Sequence, residues 1–278
     1  MPDGVKRLMK NNPLFAVGIV IFAVWILVAV FSPFLELRDP LEQHFEARFM
    51  APNQTYWFGS DGFGRDIFSR IVAGSRISVL TGVIIVVVSL AFGSVYGGVA
   101  GYAGGVTDEI MMRLSELVLS FPPLILAMII AAALGPGLLN SVIAMSIIWW
   151  PTYARMMRSL VITLKNNEYV EAQRVMGASH PRILFRAIFP NCFGSMLVLS
   201  TLDLGNAILV FSGLSFLGLG SPPPTAEWGL MVADGAANFY NWWMALFPGL
   251  AIFSVAIGAN FIGDGLRDLL DPKLRRMV

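Results

Sequence analysis

The feature that most constrains this chain is its succession of long apolar runs parted by short polar stretches. About 20 apolar residues make a helix long enough to cross a hydrocarbon layer of about 30 Å. Within that layer a backbone can satisfy its own N–H and C=O groups only as a helix or a closed barrel. Six such runs can be read, at 14–34, 79–103, 114–134, 138–157, 192–218 and 245–262. Composition agrees: of 278 residues, 56% are hydrophobic and only 13% charged, and mean hydropathy is +0.70. A soluble domain rarely reads this way. The predicted fold class is all-α integral membrane, with six transmembrane helices.

Several functions are disfavoured at once. A net charge of +1 gives no basis for nucleic-acid binding. The single cysteine, Cys192, allows neither an internal disulfide nor a cysteine metal cluster, and the two histidines, His44 and His180, lie far apart. None of the four lysines sits in a phosphate-loop pattern, so any ATP and Mg are expected on another subunit. An intramembrane enzyme needs a convergent nucleophile and base, or a metal. The spans lack His, Cys192 has no neighbouring base in sequence, and no paired acids appear. No catalytic, cofactor or metal residue is therefore assigned.

Lys6, Arg7 and Lys10 precede the first run, which is too long for a signal peptide and ends in a poor cleavage site, Phe31-Ser-Pro-Phe-Leu. It reads as an uncleaved first helix, and residues 1–34 form the first division of the chain. Residues 35–76 form an extracytoplasmic segment, rich in turn formers. Gly59, Gly62 and Gly64 bracket Asp61 and suggest a tight turn. From Asp66 an apolar stripe of Ile67, Phe68, Ile71 and Val72 predicts an amphipathic helix, with Arg65, Asp66, Ser69 and Arg70 off the stripe as a solvated face. The core is residues 77–278. Gly93, Gly97, Gly101 and Gly105 recur every four residues, a stripe that lets helices approach closely. Thr107–Arg113 reads as a polar turn, Pro122 and Pro123 as a kink, and Gly135-Pro-Gly137 as a tight turn. Trp149, Trp150 and Tyr153 followed by Arg155 and Arg158 suit a membrane exit. Residues 219–245 read as a loop.

The longest polar interruption in the second half is Glu168–Asn191, within a loop set at 158–191. Tyr169, Ala172, Val175 and Met176 recur at helical spacing among Glu168, Glu171, Gln173 and Arg174. Gly177 suits a left-handed C-terminal cap, Ser179 an N-cap, and Pro181 a first helical turn, with Pro190 limiting the second helix. The stretch predicts helix, stop, helix: a rigid elbow. Six spans place both termini on one side. On that topology 14 Lys and Arg fall on the elbow's side and 5, all within 35–76, on the other. The positive-inside rule then makes the elbow and both termini cytoplasmic.

The elbow resembles the cytoplasmic EAA loop of binding-protein-dependent ABC importer permeases. Glu171, Ala172, Gly177 and Pro190 match that pattern in position, while Gln173 stands for its third small residue and Ala187 and Phe189 replace its Ile and Leu. Phe58–Ser78, FGSDGFGRDIFSRIVAGSRIS, is similar to the signature of the dipeptide, oligopeptide and nickel permease group, with Ser60 at the usual Thr. LSFPP at 119–123 and GLSFLGLGSPPPTAEWG at 213–229 are similar to it too. The resemblance covers nearly the whole chain and is nearest to the second, C-type permease of a heterodimeric pair.

This resemblance implies a type I ABC importer permease in a bacterial or archaeal inner membrane. Its expected partners are a second homologous permease, two ATPase subunits that bind ATP and Mg, an extracytoplasmic solute-binding protein, a peptide solute and membrane lipid. It also implies that Glu168, Glu171, Ala172, Arg174, Gly177, Ala178 and Pro190 form the ATPase-coupling loop. The alternative for the charged members is solvated helix surface. Asp203 and Asn206 lie within the fifth run, where polar groups are costly. They read either as lining the translocation path or as a polar lock to a neighbouring helix. Nickel or another small solute is the alternative cargo, and a non-transporting scaffold or channel the alternative class.

Overall fold

The computed structural model describes residues 12–35 and 37–270. Lys6, Arg7, Lys10, Lys273, Arg275 and Arg276 of the charge tally lie outside the described residues. Among the described residues the regular structure is helical, apart from one antiparallel bridge between Ser60 and Asp66. The elements are α1 (Pro13–Phe31), α2 (Ile67–Ala103), α3 (Gly105–Leu119), α4 (Pro123–Leu134), α5 (Leu138–Leu164), α6 (Glu168–Val175), α7 (His180–Arg182), α8 (Phe189–Phe216), α9 (Trp228–Ala237) and α10 (Trp243–Leu270). A π-helical stretch, Ile183–Ile188, joins α7 to α8.

Four stretches are long and apolar enough to cross a membrane: Pro13–Phe34, Ile67–Ala103, His180–Phe216 and Trp243–Leu270. The bent pair α3 and α4 makes a fifth, with an 88° angle at the break. The chain is thus all-helical with four to five apolar spans. α5 is long enough at 27 residues but more polar, carrying Asn140, Arg155 and Arg158.

Several local expectations are corrected. The amphipathic helix and the second run are one continuous 37-residue helix, α2, which passes through the division at residue 76. Thr107–Arg113 is not a turn but part of α3. The chain turns earlier, where Gly104 and Gly105 hold φ of +69° and +55°. The 219–245 loop contains α9. Its N-cap is Glu227, whose carboxylate accepts from the N–H groups of Gly229 and Leu230. Tyr153 is fully buried beneath α2. Pro190 does not limit its helix. It has no N–H for the carbonyl four residues back, and the preceding turn widens to π register, with Phe189 N–H bonding Leu184 O, so the helix runs on.

The bundle is built on the α2–α5 seam, with α8 packed on α2 and α10, and α1 and α9 on α10. Three of the four striped glycines make that seam possible. A Cβ on Gly93 would lie 2.4 Å from Trp150 O, on Gly97 2.0 Å from Ala154 O, and on Gly101 2.9 Å from Arg158 O. Gly105 falls outside the seam and meets nothing within 4 Å. The core beneath includes Ile85, Met145, Ile148, Met157, Phe211 and Leu214.

Candidate functional site

The elbow forms as helix, stop, helix. α6 carries Glu168 and Glu171 in its first turn and Arg174 in its last, each complementing the helix dipole. It ends in a complete Schellman cap: Gly177 N–H bonds Arg174 O at 3.1 Å and Ala178 N–H bonds Gln173 O at 3.0 Å, with Gly177 at φ +78°. Only a residue at ease in the left-handed region closes this turn without strain. Ser179 holds the N-cap position of α7, yet its hydroxyl makes no capping bond; Pro181 lies in the first turn as expected.

The face that anchors the elbow is not the periodic stripe. Val170 is fully buried, Ile183, Leu184 and Ile188 bury the second half in one core cluster with Val161 and Cys192, and Ala187 is buried too. Tyr169, Ala172, Val175 and Met176 point outward, with Val175 89% and Met176 77% exposed beside the exposed Glu168, Glu171 and Arg174. A fixed base therefore carries a bare tip of apolar and charged groups. Ala178 is half-buried at the turn, and Pro190 is exposed at the far end of the π stretch.

Asp203 and Asn206 part company. Asp203 lies beside Tyr153 and Trp149 of α5. Its Oδ2 and Tyr153 Oη are both buried, and neither completes a well-formed hydrogen bond. Asn206 is exposed on another face of α8. It lines an open groove of about 550 Å³ with Asn260, Leu209, Phe216 and Phe253, floored where Gly213 and Gly249 leave space.

The structure adds a polar node at the opposite end from the elbow. The face of α2 expected to be solvated is buried, because the 40–64 segment folds over it: Arg65, Asp66, Ser69 and Arg70 are all buried. Arg65 Nε meets Asp61 Oδ2 at 2.6 Å, and Arg70 Nε lies 3.7 Å from the same oxygen. Arg70 also donates to the carbonyls of Pro40 (3.0 Å), Pro224 (3.4 Å) and Thr225 (3.3 Å). Asp61 closes the predicted turn, taking the N–H groups of Phe63 and Arg65 on Oδ1. Asp234 stands 4.0 Å from Arg65. Burial pushes its carboxyl up, against the pull of Arg65 and Arg70. Glu227 is wholly buried, its carboxyl also pushed up by burial against the N–H groups of Gly229 and Leu230 and the hydroxyls of Ser215 and Ser78. Trp228 locks this end inward, donating from Nε1 to Ile71 O at 3.0 Å. Sequence reasoning missed the node because its partners are up to about 170 residues apart. The one local signal was Glu227 directly before an apolar Trp-Gly-Leu-Met run, a start of helix.

The geometry is that of a membrane bundle with a rigid polar elbow and no assembled catalytic set among the described residues; no His, Cys, Asp and Glu cluster there has metal-site form. Comparison with known proteins agrees in kind. Residues 93–276 match the family described as binding-protein-dependent transport system inner membrane component. The chain is 41% identical to the probable D,D-dipeptide transport system permease protein DdpC of Escherichia coli, over 96% of this chain and 90% of that one. It is 42% identical to the dipeptide transport system permease protein DppC of Alkalihalophilus pseudofirmus, over 96% and 88%. Against the oligopeptide transport system permease protein OppC of Bacillus subtilis it is 42% identical, over 99% and 90%.

Proposed function

The chain belongs to the family of binding-protein-dependent inner-membrane transport components, and from that premise we propose that it is the C-type permease subunit of an ATP-driven peptide importer. It is a membrane transport subunit, not an enzyme. The peptide cargo is drawn from its relatives, which are dipeptide and oligopeptide transport permeases. ATP and Mg belong to two ATPase subunits, a solute-binding protein delivers cargo from outside, and a second homologous permease completes the path. With α5 counted as a span beside the four long helices and the bent pair, the chain crosses six times. Both termini and the elbow then face the cytoplasm of a bacterial or archaeal cell, and 35–66 with the Asp61–Arg70 node lies outside.

The observation that carries this reading is the elbow. Its base is buried through Val170, Ile183 and Ile188, its turn is locked by Gly177, and its apolar tip at Val175 and Met176 is left bare. An element with fixed geometry and an unburied tip suits the transmission of displacement from another protein. Glu168, Glu171 and Arg174 pair there with charges on the ATPase, and Ala172 and Ala178 keep the approach close. The groove at Asn206 and Asn260 lines the solute path: an exposed carboxamide against lipid is costly, whereas against water or a peptide amide it is satisfied. Asp203, held against α5, serves this path from behind as a polar lock.

The test is Glu171→Lys and Gly177→Asp in the assembled importer. Both are expected to abolish substrate-stimulated ATP hydrolysis while the chain remains in the membrane. Normal transport by either purified variant complex would sink the elbow assignment. Screening the cognate solute-binding protein against peptides and Ni²⁺ settles the cargo.

A further inference from the structure

Three side chains tie the corner between α2 and α3 to the end of α5 and to the elbow. Arg158 grips Asp108 through both Nε and Nη2, each at 2.6 Å from a carboxylate oxygen. Lys165 Nζ donates to Gly101 O at 2.8 Å, one of the C-terminal carbonyls of α2 that lack a helical donor. From the elbow, His180 Nδ1 lies 3.0 Å from Tyr102 Oη, with the two rings edge to face at 5.7 Å. Arg158 belongs to α5 and Lys165 is its C-cap, so they brace the corner against the bundle. The Tyr102–His180 pair alone among these three contacts reaches across to the elbow. His180 is well placed for that: it follows the Gly177 turn and precedes Pro181, so its backbone is held. The corner leads into α3, which packs on α2 and α5 and ends at the 88° break before α4.

We propose that Tyr102 and His180 are positioning residues that clamp the elbow to the α2–α3 corner, so that the two travel as one body and displacement at the elbow enters the bundle through α3 as well as through α8. This rests on the elbow being the ATPase contact. The clamp lies at the surface, so its loss leaves the fold standing. What it changes is how much of the elbow's movement reaches the bundle.

The experiment uses the complete importer in proteoliposomes and measures solute delivered per ATP hydrolysed. Tyr102→Phe keeps the ring and removes the hydroxyl; His180→Leu removes the ring nitrogen. Each is expected to lower the ratio about fivefold, the equilibrium weight of one ordinary hydrogen bond, while ATP hydrolysis continues. The double variant is expected to be no worse than either single one, because both remove the same contact. His180→Asn, which keeps a polar atom near the Nδ1 position, is expected to restore most of the ratio. In a Cys192→Ala background, Tyr102→Cys with His180→Cys is expected to lose coupling and regain it when a short bis-maleimide joins the two thiols. An unchanged ratio in both single variants overturns the clamp, and so does a crosslink that stalls turnover. If the ratio is unchanged in both single variants while Glu171→Lys abolishes stimulation, the clamp has failed and the elbow reading has not. If Glu171→Lys is also harmless, the elbow reading has failed first.

Discussion

Gly97→Ala adds one methyl group at the tightest point of the bundle. The new Cβ would lie 2.0 Å from Ala154 O, 2.6 Å from Ala154 C and 2.7 Å from Ala154 Cα. Ordinary contact begins near 3.4 Å, so α2 and α5 must part by about 1.4 Å along a seam that Gly93 and Gly101 also hold closed. Every clashing atom is backbone, so no rotamer change relieves it. Overpacking of this kind costs about 3 kcal/mol, the upper end of the usual range. Replacing glycine by alanine within a helix returns about 1 kcal/mol, leaving a net loss of about 2 kcal/mol. At about 2–4 °C per kcal/mol, thermal unfolding of the purified chain in detergent, followed by circular dichroism, should fall by about 4–8 °C. Gly213→Ala supplies the control. Nothing lies within 4 Å of its added Cβ, so it should be neutral or raise the midpoint slightly. Were the two variants to melt alike, close-contact packing of α2 on α5 would be refuted as the reason for the glycine stripe.

Two further outcomes are expected at the node opposite the elbow. Arg70→Ala removes the donor to three carbonyls in a buried site and leaves Asp61 with Arg65 as its one remaining cation partner there. It should cost about 3–5 kcal/mol and open the 40–66 segment to protease, while Arg70→Lys recovers only part because an ammonium cannot fork to the carbonyls of Pro40, Pro224 and Thr225. Glu227 gives a pH dependence. Its carboxyl is raised above its ordinary value of 4.5 by burial, so the folded state holds the proton more tightly than the unfolded one. Its contribution to stability is full below that value and declines as pH rises through the higher folded value. The melting temperature of wild type minus that of Glu227→Gln should therefore fall as pH rises from about 4.5; a signed difference that rises with pH would reverse the assignment.

Much of the elbow was legible because its determinants are local. Gly177 three residues beyond Arg174, then Ser179 and Pro181, specify a stop and a restart within a few residues, and the Schellman bonds follow. The role of Pro190 was misread. Whether a proline ends a helix or is absorbed depends on what the flanking turn packs against, and here Ile183, Leu184, Ala187 and Ile188 are buried and hold the turn in π register. The solvated face assigned to Arg65 and Arg70 failed for a related reason. Periodicity sorts apolar from polar residues but cannot say that a distant loop folds over the polar side. α9 was missed because its length is short and its start is a buried glutamate rather than one of the usual small caps.

The apolar runs, the glycine spacing and the elbow's punctuation settle the class of this protein: a helical membrane bundle with a stiff polar projection. Each depends on neighbours in sequence, through helix geometry and the exclusion of unpaired backbone from lipid. Other features waited on the folded chain. Among them are the meeting of Asp61, Arg65 and Arg70 with carbonyls far along the chain, the turn of Asp203 towards α5 and Asn206 towards an open groove, and the reach of His180 to Tyr102. Their energies come from desolvation and from contacts closed over long loops. A linear pattern shows which residues are capable of such contacts, and three-dimensional packing selects which of them form.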